Sequence, residues 1–257
     1  LNGRIPSARA MVQSGKTEVQ VRQLARDRGA ALRGYGVTVD FAPDVDVSDQ
    51  PNNAVIGDRS FSADPAIVTK YARAFAQGLR DAGVLPVIKH FPGHGESSGD
   101  SHEGPVSVPP LNELKGRDLL PFRDLIAESS PQEPVAVMVG HLDVPGLTEP
   151  GVPASLSPQA LALLRQGTGY GAKGFDGVVF SDDLAGMAAI TDKYDLPTAV
   201  LDTLKAGSDI ALFTTASRVP AVLTRLERAV NDGELPEAQV QDSLRRVLHA
   251  KGITVCG

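Results

Sequence analysis

The feature that most constrains this chain is an alternation: short runs rich in Val, Ile and Phe take turns with longer stretches whose apolar residues recur at helical spacing. Strand candidates are 37–47, 84–91, 135–142, 177–184 and 209–213, and helix candidates are 18–34, 64–83, 114–128, 157–167 and 194–207. This order builds a parallel sheet covered by helices. Several helix ends are marked. Asp64 before Pro65 is an N-cap with proline at the first helical position, and Gly83 and Gly207 stand where helices stop. No Pro/Gly/Ser-rich linker or break in composition divides the 257 residues, so a single domain over 1–257 is expected. An α/β barrel needs eight strands in about 250 residues. The long loops here leave room for five clear strands, so either the sheet is open or the chain has lost its first strands, and Leu1 in place of Met favours the second.

Composition removes several classes of function. Lys and Arg number 25 against 31 Asp and Glu, a formal net charge of −6, which leaves no positive excess to neutralise phosphates and argues against a nucleic-acid partner. The one cysteine, Cys256, excludes a disulfide framework and a thiolate zinc cluster. No apolar run approaches the roughly 20 residues of a spanning helix, and Leu1 opens a polar stretch with no signal-peptide core, so no membrane segment is expected in this chain.

Polar residues crowd the downstream edge of the strand candidates: Asp44 and Asp46, Lys89 and His90, His141 and Asp143, Asp182 and Asp183. In parallel α/β folds that edge carries the site. Loop preference of Asp and His explains any one of these as well as function does, whereas four strands with the same habit favour function. Three of the five histidines fall in Lys89 to His102, KHFPGHGESSGDSH, where Pro92, Gly93, Gly95 and Gly99 make a helix improbable and give a loop leaving the strand end. Asp100 and His102 are close enough for the carboxylate to hold one ring nitrogen and leave the other as a proton carrier, although a turn Asp beside a solvated His has the same spelling.

In Phe180-Ser181-Asp182-Asp183-Leu184 an apolar strand runs into two carboxylates, of which strand parity lets only one face a pocket. Parity does not choose between them; capping of the next helix is the plainer role for Asp183. Arg59 offers a planar donor fork suited to hydroxyls or carboxylates, against the plain alternative of a surface ion pair with Asp58. Lys89 and His90 place a cation and a ring donor at a strand edge, where a buried Lys requires a ligand or counter-ion.

The segments Lys89-His90-Phe91-Pro92-Gly93-His94-Gly95, Asp100-Ser101-His102 and Ser181-Asp182-Asp183-Leu184 resemble the signature of glycoside hydrolase family 3, specifically its β-N-acetylglucosaminidases. Gly57-Asp58-Arg59-Ser60-Phe61, Gly140-His141 and Ala206-Gly207-Ser208-Asp209 come in the expected order over most of the chain. The resemblance implies a (β/α)8 TIM-type barrel, incomplete at its N-terminus because the family's upstream Asp-Gln-Glu-Gly-Gly-Arg-Val run is absent and Leu1-Asn2-Gly3-Arg4 resembles the residues immediately downstream of that run. It implies Asp182 as nucleophile, His102 as general acid/base oriented by Asp100, and Arg59, Lys89 and His90 as binders of sugar hydroxyls. The implied substrate is a small carbohydrate, a terminal N-acetylglucosaminide of cell-wall fragments, cleaved with retention through a covalent glycosyl-enzyme.

A histidine acid departs from the usual pair of carboxylates, and Glu96 on the same loop is the competing acid. No metal and no organic cofactor are required by this scheme. Three alternatives stand beside it: phosphorolysis, with phosphate replacing water; a metal-dependent hydrolase using His90, His94, Asp100, His102, His141 and Asp182; and an inactive sugar-binding module. The metal reading is weakened by the Pro-Gly break between His90 and His94 and by the absence of any His-x-His pair.

Overall fold

A computed structural model describes residues 5–253. The readings placed on Leu1 to Arg4 and on Cys256 lie outside the described residues. Among those described, the strands are β1 (Val39–Asp40), β2 (Leu85–Phe91), β3 (Val106–Ser107), β4 (Ala136–Val139), β5 (Leu142–Asp143) and β6 (Val179–Ser181). The α-helices are α1 (Ala8–Gln13), α2 (Glu18–Gly34), α3 (Pro65–Asp81), α4 (Leu111–Gly116), α5 (Leu119–Glu128), α6 (Pro158–Gln166), α7 (Ala188–Thr191), α8 (Leu196–Ala206), α9 (Val219–Asn231) and α10 (Glu237–Ala250). The fold is α/β with parallel strand pairing. Its contacts divide it into two compact units, one of Leu1–Glu96, Asn112–Val137 and Thr168–Lys173, the other of Ser97–Leu111, Met138–Gly167 and Gly174–Gly257.

In the first unit α2 and α3 lie against each other. Thr17 opens α2 with a capping box, its hydroxyl accepting from Gln20 N–H while the Gln20 side chain accepts from Thr17 N–H, so two end donors of the helix are satisfied reciprocally. Asp64 caps α3 by accepting Ala66 N–H at 2.8 Å, with Pro65 at the first helical position. Val68, Ala72, Phe75, Ala76 and Leu79 recur at helical spacing and are buried. Gly78 lets the two helices approach, because a Cβ there would collide with the carbonyl oxygen of Arg22. The stop expected at Gly83 is present, with φ +72° directly after the cap at Ala82.

The strand expected over 37–47 is shorter than its apolar run. Only Val39 and Asp40 pair regularly with β2, opposite Leu85 and Pro86; beyond them the contact is carried by single bonds, Val87 N–H to Ala42 O at 3.0 Å and Val45 N–H to Lys89 O at 2.8 Å. Pro43, between the two, has no N–H to give to a ladder. The segment still runs parallel to β2 through the Asp44–Lys89 bridge, which brings both polar strand edges together.

In the second unit β6 receives neighbours on two sides. Asp182 N–H donates to Val139 O at 3.0 Å, and Ser181 N–H to Ile210 O at 2.9 Å. The expected strand 209–213 is an extended segment joined to β6 by one bridge, Phe180 to Ile210. Asp209 anchors it: its buried carboxylate accepts Val179 N–H at 2.8 Å and pairs with Arg165 at 2.7 Å and Arg246 at 3.2 Å. Gly207 ends α8 at φ +119°, where the sequence places a stop.

The helix expected over 114–128 is two helices, α4 and α5, and the strand expected over 135–142 is β4 followed by β5, which pairs with β3. Helices α1, α7, α9 and α10 are additional to the expected elements. Val222, Leu226 and Ala229 on α9 keep helical spacing, and Val222 and Ala229 are buried against α8, so that pattern was present to be read.

Candidate active site

The first unit builds a buried polar cluster where the 37–47 segment meets the end of β2. Asp46 is completely buried, and its carboxylate gathers three donors: His90 Nδ1 at 2.7 Å on Oδ2, and on Oδ1 the backbone N–H groups of His90 at 3.2 Å and His94 at 2.7 Å. One side chain therefore holds both ends of the Lys89 to His94 turn. Gly95 lets that turn pass close to the 37–47 segment, since a Cβ there would collide with Val47 O. Burial opposes the charge on Asp46, but His90, by charge and hydrogen bond, outweighs it and keeps the carboxyl well below the usual range.

Asp44 is nearly as buried and is placed differently. Its Oδ2 lies 3.9 Å from His90 Nδ1 and 3.9 Å from Arg59 Nη1, with no hydrogen-bond partner of its own. Burial first, and then the Asp46 charge, push it up to about 7 against the pull of His90 and Arg59. His94, packed edge-on against His90 at 5.6 Å between ring centres, is lowered by burial and then by His90. Asp118, against the turn at Gly93, is raised to about 7 chiefly by burial.

Arg59, Lys89 and His90 thus gather around Asp44. Arg59 and Lys89 line one cavity of about 290 Å³ together with Asp44, Phe41, Phe61 and Phe75. The ion pair considered for Arg59 with Asp58 is replaced by Asp44, and a further Arg59 donor is taken by Val55 O. Lys89 is partly buried. Burial raises Asp40, and the charge of Lys89 does most to oppose that rise.

The second unit carries Asp182 and the Asp100–His102 pair. The Asp183 carboxylate accepts Ala185 N–H at 3.0 Å and the Thr214 hydroxyl at 3.0 Å. The helix cap that the sequence offered for Asp183 is not formed: α7 begins after Met187 with no side-chain cap, and Asp183 holds the turn before it. Asp182 continues the strand through its N–H bond to Val139, and its Oδ1 accepts Asp183 N–H at 2.9 Å. His141 supports the turn from beneath. Its Nε2 lies 3.1 Å from the carbonyl of Asp183, which can only accept, so the proton is on Nε2, and Nδ1 is 2.7 Å from Ser155 Oγ.

His102 Nδ1 and backbone N–H both meet Asp100 Oδ1, at 2.8 and 2.9 Å. No helix or strand forms over 92–105, as the Pro and Gly content predicts. Ser98 and Ser107 close the loop on itself, Ser98 N–H donating to Ser107 O at 2.8 Å. Ser101, between the pair, is buried: its carbonyl accepts Ala189 N–H at 3.1 Å and its hydroxyl reaches Met187 Sδ at 3.5 Å. The loop bearing His102 is therefore fastened to the segment that directly succeeds Asp182 and Asp183. Glu96, the competing acid, is engaged by Arg117 at 2.8 Å.

The metal-site alternative from the sequence meets a different grouping. His141 Nε2 is taken by a carbonyl and His102 Nδ1 by Asp100. Among the described residues, the set whose ligand atoms all lie within 4.8 Å of one another is Asp44, Asp46 and His90. Of these only His90 belongs to the set the sequence suggests, and its Nδ1 is occupied by Asp46. Asp46 is the residue to which the sequence assigns no role; its position at a strand edge is the available signal.

Comparison with known proteins shows the family. The family model "Glycosyl hydrolase family 3 N terminal domain" matches residues 1–250. The chain is 61% identical over 252 residues to the beta-hexosaminidase LpqI of Mycobacterium tuberculosis, an alignment covering 98% of this chain and 63% of that protein. The solved structure of M. tuberculosis LpqI superposes with a TM-score of 0.95 at 60% identity, over 99% of this chain and 73% of that one. A family 3 β-N-acetylglucosaminidase from a Paenibacillus species gives 0.83 at 32% identity, over 94% and 46%. The chain thus spans just under two thirds of its mycobacterial relative's sequence.

Proposed function

The chain belongs to glycosyl hydrolase family 3, and from that membership we propose that it carries the chemistry of a retaining, exo-acting β-N-acetylglucosaminidase that removes terminal N-acetylglucosamine from cell-wall fragments. Its strands are then part of a (β/α)8 barrel. Asp182 attacks the anomeric carbon while His102 protonates the departing glycosidic oxygen; water, deprotonated by the same histidine, then releases the sugar with retained configuration. Asp100 holds Nδ1 of His102, so Nε2 carries the proton that moves. Arg59, Lys89 and His90 take the sugar hydroxyls. Asp183 keeps its structural place in the turn.

The observation that carries this reading is the anchoring of the Asp100–His102 loop, through Ser101, to Met187 and Ala189 just after the Asp182 turn. A loop fastened there fits a proton donor that works with that carboxylate. The test is turnover of an aryl N-acetyl-β-glucosaminide, with free N-acetylglucosamine as the expected product and a loss of about a thousandfold or more in Asp182→Ala. A sugar 1-phosphate formed when phosphate is added would assign the phosphorolytic variant instead. Absence of turnover in both this chain and a longer form would contradict the enzymatic reading.

A further inference from the structure

We propose that Asp46 is a positioning residue that holds His90 as the doubly protonated imidazolium, with Nδ1–H on its carboxylate, so that the ring is a donor at both nitrogens. The proposal rests on the reading that His90 binds the sugar. It adds what neither the motif nor the family resemblance supplies, namely which residue sets the tautomer and charge of that histidine.

The hydrogen bonds decide the first proton. Asp46 receives two backbone N–H groups on Oδ1, at 3.2 and 2.7 Å, and His90 Nδ1 on Oδ2 at 2.7 Å. Backbone N–H groups can only donate, so Oδ1 is an acceptor, and a carboxylate with these partners is stabilised as the anion. An ionised oxygen 2.7 Å from a ring nitrogen requires that nitrogen to carry a proton. Nδ1–H is therefore fixed by geometry.

Charge balance decides the second. A fully buried carboxylate without a counter-charge is costly, and the group in direct contact that can supply one is the imidazole itself. The other charged and titratable groups around His90 are of both signs. Asp44 Oδ2, at 3.9 Å from Nδ1, adds a second acid on the same side, and Asp118, which the Asp46 charge helps to raise, lies against the turn at Gly93. Against them stand Arg59, whose guanidinium reaches Asp44, and Lys89, next in the chain. His94, whose proton affinity burial lowers, adds no fixed positive charge. Of the three carboxyls, Asp46 is the one whose charge is held by three donors, while burial pushes Asp44 and Asp118 up to about 7. When Asp44 does ionise, its charge favours the imidazolium further.

The experiment is a pH titration of the ring nitrogens of the 15N-labelled chain by NMR, with the His90 signals assigned by their loss in His90→Gln. Both His90 nitrogens are expected at imidazolium positions at pH 7, with a midpoint raised above the ordinary imidazole value. In Asp46→Asn the midpoint drops by at least one pH unit, a tenfold or greater easing of proton loss, and the alkaline limb of kcat/KM moves with it. A neutral His90 ring at pH 7 in the unaltered chain, or an unchanged midpoint in Asp46→Asn, overturns the proposal. The titration of the unaltered chain decides by itself if the variant does not fold, and it needs no substrate, so its failure is separable from failure of the glycosidase reading.

Discussion

Two Asp–His pairs among the described residues have nearly the same bond and opposite surroundings. Asp46 and His90 are joined at 2.7 Å with side chains 0% and 7% exposed; Asp100 and His102 are joined at 2.8 Å with side chains 32% and 60% exposed. The difference shows that the motif alone does not set the task. In the first unit the carboxylate is surrounded by donors and the pair is locked, which suits a ring that must present one fixed face. In the second unit the pair stands at a loop surface, where the ring can exchange its proton with solvent, as an acid that turns into a base between two steps must.

The largest expected separation between the two pairs is in stability. Removing one partner of a buried pair leaves an uncompensated charge, so Asp46→Ala should lose ~3–5 kcal/mol in equilibrium denaturation. Asp100→Ala, at an exposed pair, should lose less than ~1 kcal/mol while slowing kcat at least about tenfold. Equal losses of stability in the two variants would break the contrast; full activity in Asp100→Ala would remove the orienting role from that residue.

A smaller effect sharpens the account of the buried cluster. Asp118 is 3% exposed, its Oδ1 has no hydrogen-bond partner, and burial raises it to about 7. A carboxyl that ionises later in the folded than in the unfolded chain stabilises the fold below about pH 4, the unfolded value, and that contribution is lost as pH rises through about 7. The cost above that pH is of the order of several kcal/mol, at about 1.4 kcal/mol per tenfold. Asp118→Asn, which cannot ionise, should therefore gain Tm relative to the unaltered chain at pH 8 and little or nothing at pH 4. A gain of the same size at both pH values would show that the charge is not the cause.

How much of this was legible in the sequence depends on how local the determining interaction is. β2 reads directly from its apolar run, and α3 from Asp64, Pro65 and a buried face at helical spacing, because caps and periodicity are short-range. The 37–47 run overstates its strand because Pro43 interrupts a segment that is otherwise apolar and β-branched. Helix α10 has no buried residue, and its apolar positions, Val240 and Leu244 among them, are partly exposed, so its amphipathic pattern does not point to a core. In the site, the Asp100–His102 bond is legible because its partners are two residues apart, whereas the bond that holds Asp183 is not, because its donor Thr214 is 31 residues away. Asp46 reads as a strand-edge carboxylate and nothing more; its partner ring is 44 residues away, and only the pairing of the two strand ends brings them together.

The central claim is that Asp182 carries the sugar during turnover. A slow fluorinated N-acetylglucosaminyl substrate, with subsequent proteolysis and mass spectrometry of the inactivated chain, reads this directly. The expected result is one glycosyl group on the peptide containing Ser181-Asp182-Asp183, with fragmentation placing it on Asp182. A label on Asp183 or Glu96, or complete turnover with no trapped species, would contradict it.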